Sequence, residues 1–92
     1  MSDPDAPTRP DGLTYAELLA FYKALNDPER LRIAGLLATA PAGIAELASA
    51  SGLPGPSVSR HVAMLVRIGV VVESGGGRYA LDERAMRRRA RA

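Results

Sequence analysis

The chain has 92 residues, enough for one small domain, and no cysteine, which excludes disulfides, thiolate metal sites and thiol redox chemistry. No apolar run reaches the roughly 20 residues that span a bilayer, and the acidic, proline-containing N-terminus lacks the apolar core of a signal peptide, so a soluble cytoplasmic protein is expected. The net charge of +2 is unevenly spread: residues 1–46 hold four basic against seven acidic side chains, a balance of −3, and residues 47–92 hold eight against three, a balance of +5.

Residues 1–12, with Pro4, Pro7 and Pro10 among small and acidic residues, are expected to form a disordered N-terminal arm, leaving 13–92 as the folded domain. Thr14 and Glu17 have the spacing of a capping box, with Leu13 and Leu18 as its hydrophobic staple, so a helix should begin at Tyr15. Leu18, Leu19, Tyr22 and Leu25 fall on one face of it. Tyr15 and Phe21 widen that face beyond what one small core requires. Two readings stay open: a dimer interface, or partly exposed aromatics on a monomer.

Asn26-Asp27-Pro28 closes this helix and starts the next, with Asp27 as N-cap and Pro28 at the first helical position. Leu31, Ile33, Ala34, Leu36 and Leu37 make it the densest apolar segment, the central core helix. Gly35 within it implies close approach of a neighbouring helix, since glycine costs about 1 kcal/mol there against alanine. Arg30 and Arg32 are read as solvated or paired with acidic neighbours, with phosphate contact as the other reading.

Ile44, Leu47 and Ala48 repeat at helical spacing, and Gly52-Leu53-Pro54-Gly55 then breaks the chain. Pro56 opens a second helix, expected over residues 56–68. Its buried stripe is Val58, Val62, Leu65 and Val66, while Ser57, Ser59, Arg60 and Arg67 fall away from it. The pair reads as a helix-turn-helix with a basic face on its second member. Val70-Val71-Val72 and Tyr79-Ala80-Leu81 read as strands of a hairpin closed by Glu73 to Arg78. Asp82 then caps a last helix holding Met86 and five arginines, a solvated basic tail or a nonspecific nucleic-acid contact. The fold class expected is mainly α with a small β-hairpin, a winged helix-turn-helix.

Ala24-Leu25-Asn26-Asp27-Pro28-Glu29-Arg30-Leu31-Arg32-Ile33 resembles the opening signature of the ArsR-type winged-helix repressors. Ile44-Ala45-Glu46-Leu47-Ala48, Ser57 to Leu65 and Gly69-Val70-Val71 resemble the same family's helix-turn-helix and the start of its wing. The resemblance covers roughly residues 15–82, in the family's order. It implies a homodimeric, sequence-specific regulator of transcription, a repressor, with double-stranded DNA as partner. It also places His61 beside the DNA backbone, and pairs subunits partly through the last helix. Pro54 and Gly55 stand where the family commonly has polar residues, which implies relaxed specificity, and the wing is shorter and less basic than usual, which argues against its deep insertion into the minor groove. The family's metal-sensing ligands are missing: there is no Cys, and the last helix carries Arg in place of His, Asp and Glu. No metal or other cofactor is therefore expected, and a regulating signal would be a small molecule or a partner protein.

Such a fold reads DNA with side chains at the N-terminal end of a helix lying in the major groove. The DNA-binding residues expected are Ser57, Ser59, Arg60, His61, Arg67 and Arg78, with Arg60 the principal base reader through guanine O6 and N7. The dimer interface expected is Tyr15, Leu18, Leu19, Phe21, Tyr22 and Met86. A lone His offers no metal site, and no Asp or Cys near it in sequence makes a catalytic pair. With no nucleophile-base pair, carboxylate pair or phosphate loop, an enzyme is not expected. A winged-helix protein-interaction module without DNA reading is the alternative function, and a further domain beyond the last helix is a separate reading of its basic run.

Overall fold

The computed structural model describes residues 9–92; the expectation for residues 1–8 lies outside them. Five helices and three strands follow in the order α1 (Tyr15–Leu25), α2 (Pro28–Thr39), β1 (Ala42–Gly43), α3 (Ile44–Ser51), α4 (Gly55–Arg67), β2 (Val71–Gly75), β3 (Arg78–Leu81) and α5 (Glu83–Ala90). Residues 9–12 form a turn closed by the Gly12 N–H donating to the Arg9 carbonyl at 3.0 Å.

Local chemistry places the helix starts. Thr14 Oγ1 accepts from the Glu17 N–H, Asp27 Oδ1 from both the Glu29 and Arg30 N–H groups, and Asp82 Oδ1 from the Ala85 N–H, each at 3.0 Å. Each bond satisfies a donor that a helix start would otherwise leave unpaired. The Arg30 N–H bond is the main cause of an Asp27 carboxyl held below its ordinary value of 3.8. A depressed folded value means that the cap's contribution is complete above the ordinary value and is lost as pH falls through the folded one. Asp27→Asn keeps an acceptor but not the titration, so its melting temperature should fall less steeply than the parent's below about pH 4. Identical acid limbs in the two melting series would remove Asp27 from the acid response.

The core is drawn from every helix but α5: Leu18, Phe21 and Ala24 of α1, Ile33, Ala34 and Leu37 of α2, Leu47 of α3, and Val58, Val62 and Leu65 of α4 are buried. Val70 and Val71 close it from below the sheet, and Leu13 is fully buried at the start of α1. Several expected core positions are not core. Leu31 is 52% exposed and Val66 41% exposed, because each lies one helical step off its buried stripe, where the apolar run outlasts the core. On α1 the buried flank is centred on Phe21, and the Tyr15, Leu19 and Tyr22 flank faces outward.

Gly35 overturns its expectation. A Cβ there would meet nothing within 4 Å, so no neighbouring helix requires the glycine. Gly35→Ala should raise stability by about 0.5–1 kcal/mol, read as a higher melting temperature. A lower one would mean that something packs against that face.

The strands form one antiparallel sheet in the order β1-β3-β2, with Ala42 opposite Tyr79 and Val71 opposite Leu81. β1 was not anticipated; two residues are too few to show an alternation. Gly76 and Gly77 turn the wing at φ 62° and 73°, the two successive positive values that a tight hairpin of right-handed twist requires. The register shifts between Glu73 and Gly75, so the third glycine, Gly75 at φ 96°, serves a bulge in β2.

Candidate nucleic-acid interface

α3 and α4 are joined by Gly52, Leu53 and Pro54. Gly52 ends α3 in the left-handed region at φ 75°, donating its N–H to the Ala48 carbonyl at 2.9 Å, and the buried Ser51 Oγ accepts from the Leu53 N–H at 3.2 Å. These bonds fix the three-residue turn and hence the angle at which α4 leaves it. α4 begins at Gly55, with Pro54 as N-cap and Pro56 in its first turn. Val58, Val62 and Leu65 anchor one side of α4 in the core. The opposite side leaves Pro56, Ser59, Arg60 and Ala63 exposed. The Arg60 Nη2 donates to Ser57 Oγ at 3.4 Å, which holds the guanidinium near the start of the helix.

Ala63 joins this exposed face, and nothing about an alanine marks it in the sequence. Its spacing of four from Ser59 was the available signal, and its methyl is the right chemistry for a thymine methyl in the major groove.

The other residues expected at this interface scatter. Arg67 lies about 10 Å further along the axis than Arg60 at 1.5 Å per residue. There it lines a cavity against α1 and α5. Arg78 is exposed but tied to its own fold: its Nη1 donates to Glu46 Oε1 at 2.9 Å and its Nη2 to the Pro41 carbonyl at 2.7 Å. The same Glu46 oxygen accepts the Gly43 N–H at 3.0 Å, so Arg78 locks the wing to the start of α3. In this state it is an internal tie, and the glycine tip carries no cation of its own.

His61 is also engaged within the fold. Its Nε2 lies 3.4 Å from Glu29 Oε1, its side chain is mostly buried, and its buried Nδ1 has no partner among the described residues. Asp27, Glu29 and His61 form the one group of potential metal ligands close enough together among the described residues. The sequence offers this histidine no neighbouring Asp or Cys, but in space the Glu29 carboxylate, 32 residues away, stands against it and Asp27 lies in the same group. The trio is nonetheless built as a helix cap: Asp27 Oδ1 already accepts two backbone N–H groups, and the Arg30 Nη2 stands 3.9 Å from its Oδ2.

The expected dimer surface divides in the same way. Tyr15, Leu19 and Tyr22 are 56%, 59% and 52% exposed and form one stripe on α1. Leu18 and Phe21 belong to the monomer core and are not free to build a second surface, while Met86 is partly buried against that core.

The geometry can be set against known proteins. The model of the IclR helix-turn-helix domain matches residues 31–75. No curated protein matches the chain. Among solved structures, an ArsR-like transcriptional regulator from Rhodococcus sp. RHA1 superposes with a TM-score of 0.76 at 29% identity, over 84% of this chain and 76% of that one. The fold is a winged helix-turn-helix, like that of this ArsR-like neighbour. HlyU from Vibrio cholerae N16961 is a second structural neighbour, with a TM-score of 0.66 and 26% identity over 83% of this chain and 88% of that one. The span matched by the IclR model runs from α2 into β2 and contains the whole helix-turn-helix. No described helix is long and apolar enough to cross a membrane.

Proposed function

We propose that this protein is a sequence-specific double-stranded-DNA-binding regulator of transcription, a homodimeric repressor that lays α4 in the major groove. The observation that carries the reading is the exposed start of α4, where Ser59, Arg60 and Ala63 stand on one face and Ser57 steadies the Arg60 guanidinium. Similarity to an ArsR-like transcriptional regulator supports it. The test is fluorescence anisotropy with the duplex upstream of the protein's own gene and with a scrambled duplex, across several salt concentrations. A preference of about 10³ or more for the upstream duplex is the expected result. Equal affinities that fall steeply with salt would reduce the interaction to backbone electrostatics.

The exposed Tyr15, Leu19 and Tyr22 stripe is the part of the expected dimer surface that remains available, and a dimer paired through it has to present its two copies of α4 to half-sites about 34 Å apart. Leu19→Asp should therefore shift the protein toward monomer in analytical ultracentrifugation and weaken binding to a two-fold site. A fully dimeric variant would put the interface elsewhere. In the cytoplasm, such a dimer represses by occupying the promoter.

A second reading, a winged-helix module that binds another protein, is favoured by one observation: Arg78, the one cation of the wing, is paired with Glu46 and the Pro41 carbonyl, so a phosphate would have to compete for it. Failure to bind either duplex at low salt selects it.

A further inference from the structure

An open cavity of about 810 Å³ lies between α1, the C-terminal end of α4 and α5, at the far end of α4 from its DNA-facing start. Ala16, Ala20 and Ala24 of α1 and Met64 and Ile68 from the end of α4 give it apolar walls. Its charged residues are Lys23, Arg30, Arg67 and Arg89 against Glu17 alone, a local balance of +3. On α1 this flank lies about 120° around the helix from the Tyr15, Leu19 and Tyr22 stripe, at 100° per residue. A dimer formed through that stripe leaves the cavity a separate site.

Arg89 is the unexpected member. The sequence reads it as one of a solvated run, yet it is 6% exposed. Its Nη1 donates to the Ala85 carbonyl at 3.2 Å, its Nη2 stops 3.9 Å from Glu17 Oε2, and its Nε has no partner among the described residues. Arg30 shares the cavity with a second unpartnered Nε. A guanidinium has five donors, and burying it while they are incompletely paired is costly. The backbone makes room for it: a Cβ at Gly69 would lie 3.1 Å from the Arg89 Nη2, and Gly69 itself sits at φ 86°.

We propose that this cavity binds a small organic carboxylate, with its anionic end on Arg89 and the neighbouring cations and its apolar body against the alanine, methionine and isoleucine walls. The volume is within the range of small-molecule sites, about 300–1,000 Å³. Because the walls include the end of α4 and Gly69, an occupant is placed to affect the helix that faces DNA.

The site is tested on the protein alone, so its failure and the failure of DNA reading are separate results. Benzoate and hexanoate are titrated into ¹⁵N-labelled protein at constant ionic strength. Saturable shifts should cluster at the amides of Ala20, Lys23, Ile68 and Gly69, with a rise in melting temperature. Lys23→Gln, at an exposed position, and Arg89→Gln should each weaken carboxylate binding about tenfold or more, the loss of one charge-assisted hydrogen bond. Lys23→Gln keeps the test open if Arg89→Gln does not fold. Three results overturn the proposal: no saturable shift with either carboxylate, equal binding of benzyl alcohol or inorganic phosphate, or shifts confined to the exposed Arg84, Arg87, Arg88 and Arg91, which mark anions condensing on the tail.

Discussion

Arg60→Ala should cut affinity for the specific duplex by about 5- to 150-fold while lowering affinity for scrambled DNA far less. That range is the about 1–3 kcal/mol carried by one bidentate contact to guanine O6 and N7. The expectation rests on position: Arg60 is exposed on the side of α4 away from the core and is held by Ser57 at the end of the helix proposed to enter the groove. Arg60→Lys separates the two parts of the effect. It restores the positive charge, and so the salt dependence, without the planar fork, and should leave discrimination near the alanine level. The measurement is anisotropy on both duplexes for all three proteins. Equal losses on both duplexes, or recovery of discrimination by lysine, would mean that Arg60 contacts phosphate and that the sequence is read elsewhere.

The largest change in stability is expected from Leu65→Ala. Leu65 is fully buried on α4, and removing such a side chain costs about 2–5 kcal/mol through lost transfer energy and an unfilled cavity. A domain of this size has about 5–15 kcal/mol in total, so the variant should melt about 10 °C or more below the parent. Its neighbour provides the control. Val66 is 41% exposed, and Val66→Ala should change stability by no more than about 0.5 kcal/mol. Denaturation followed by circular dichroism reads both, and comparable losses at the two positions would contradict the placement of α4 against the core.

That neighbouring pair also shows what periodicity can and cannot decide. Val58, Val62 and Leu65 were legible because their spacing admits one helical face. Val66 extends the same run, and nothing in the spacing says where burial stops. α1 poses the problem more sharply. Its large apolar residues occupy two flanks, and either one satisfies a 3.6-residue period, so the assignment of Phe21 to a second surface was as consistent with the pattern as its actual place in the core.

Features carried by adjacent residues were determined by the sequence itself. The caps at Thr14, Asp27 and Asp82, the break at Gly52 and the glycine turn of the wing rest on bonds or dihedral angles spanning a few residues, and these order the five helices and the hairpin. Tertiary structure alone decided what depends on distant partners. Glu29 meets His61 and Glu46 meets Arg78, each across 32 residues, and Glu17 of α1 approaches an Arg89 buried beneath it. Each of these side chains is charged or titratable, so composition alone sends it to solvent or to DNA. Which of them the fold keeps was settled by where α2, α3 and α5 pack, because Coulomb attraction and desolvation depend on distances in space and not on separation along the chain.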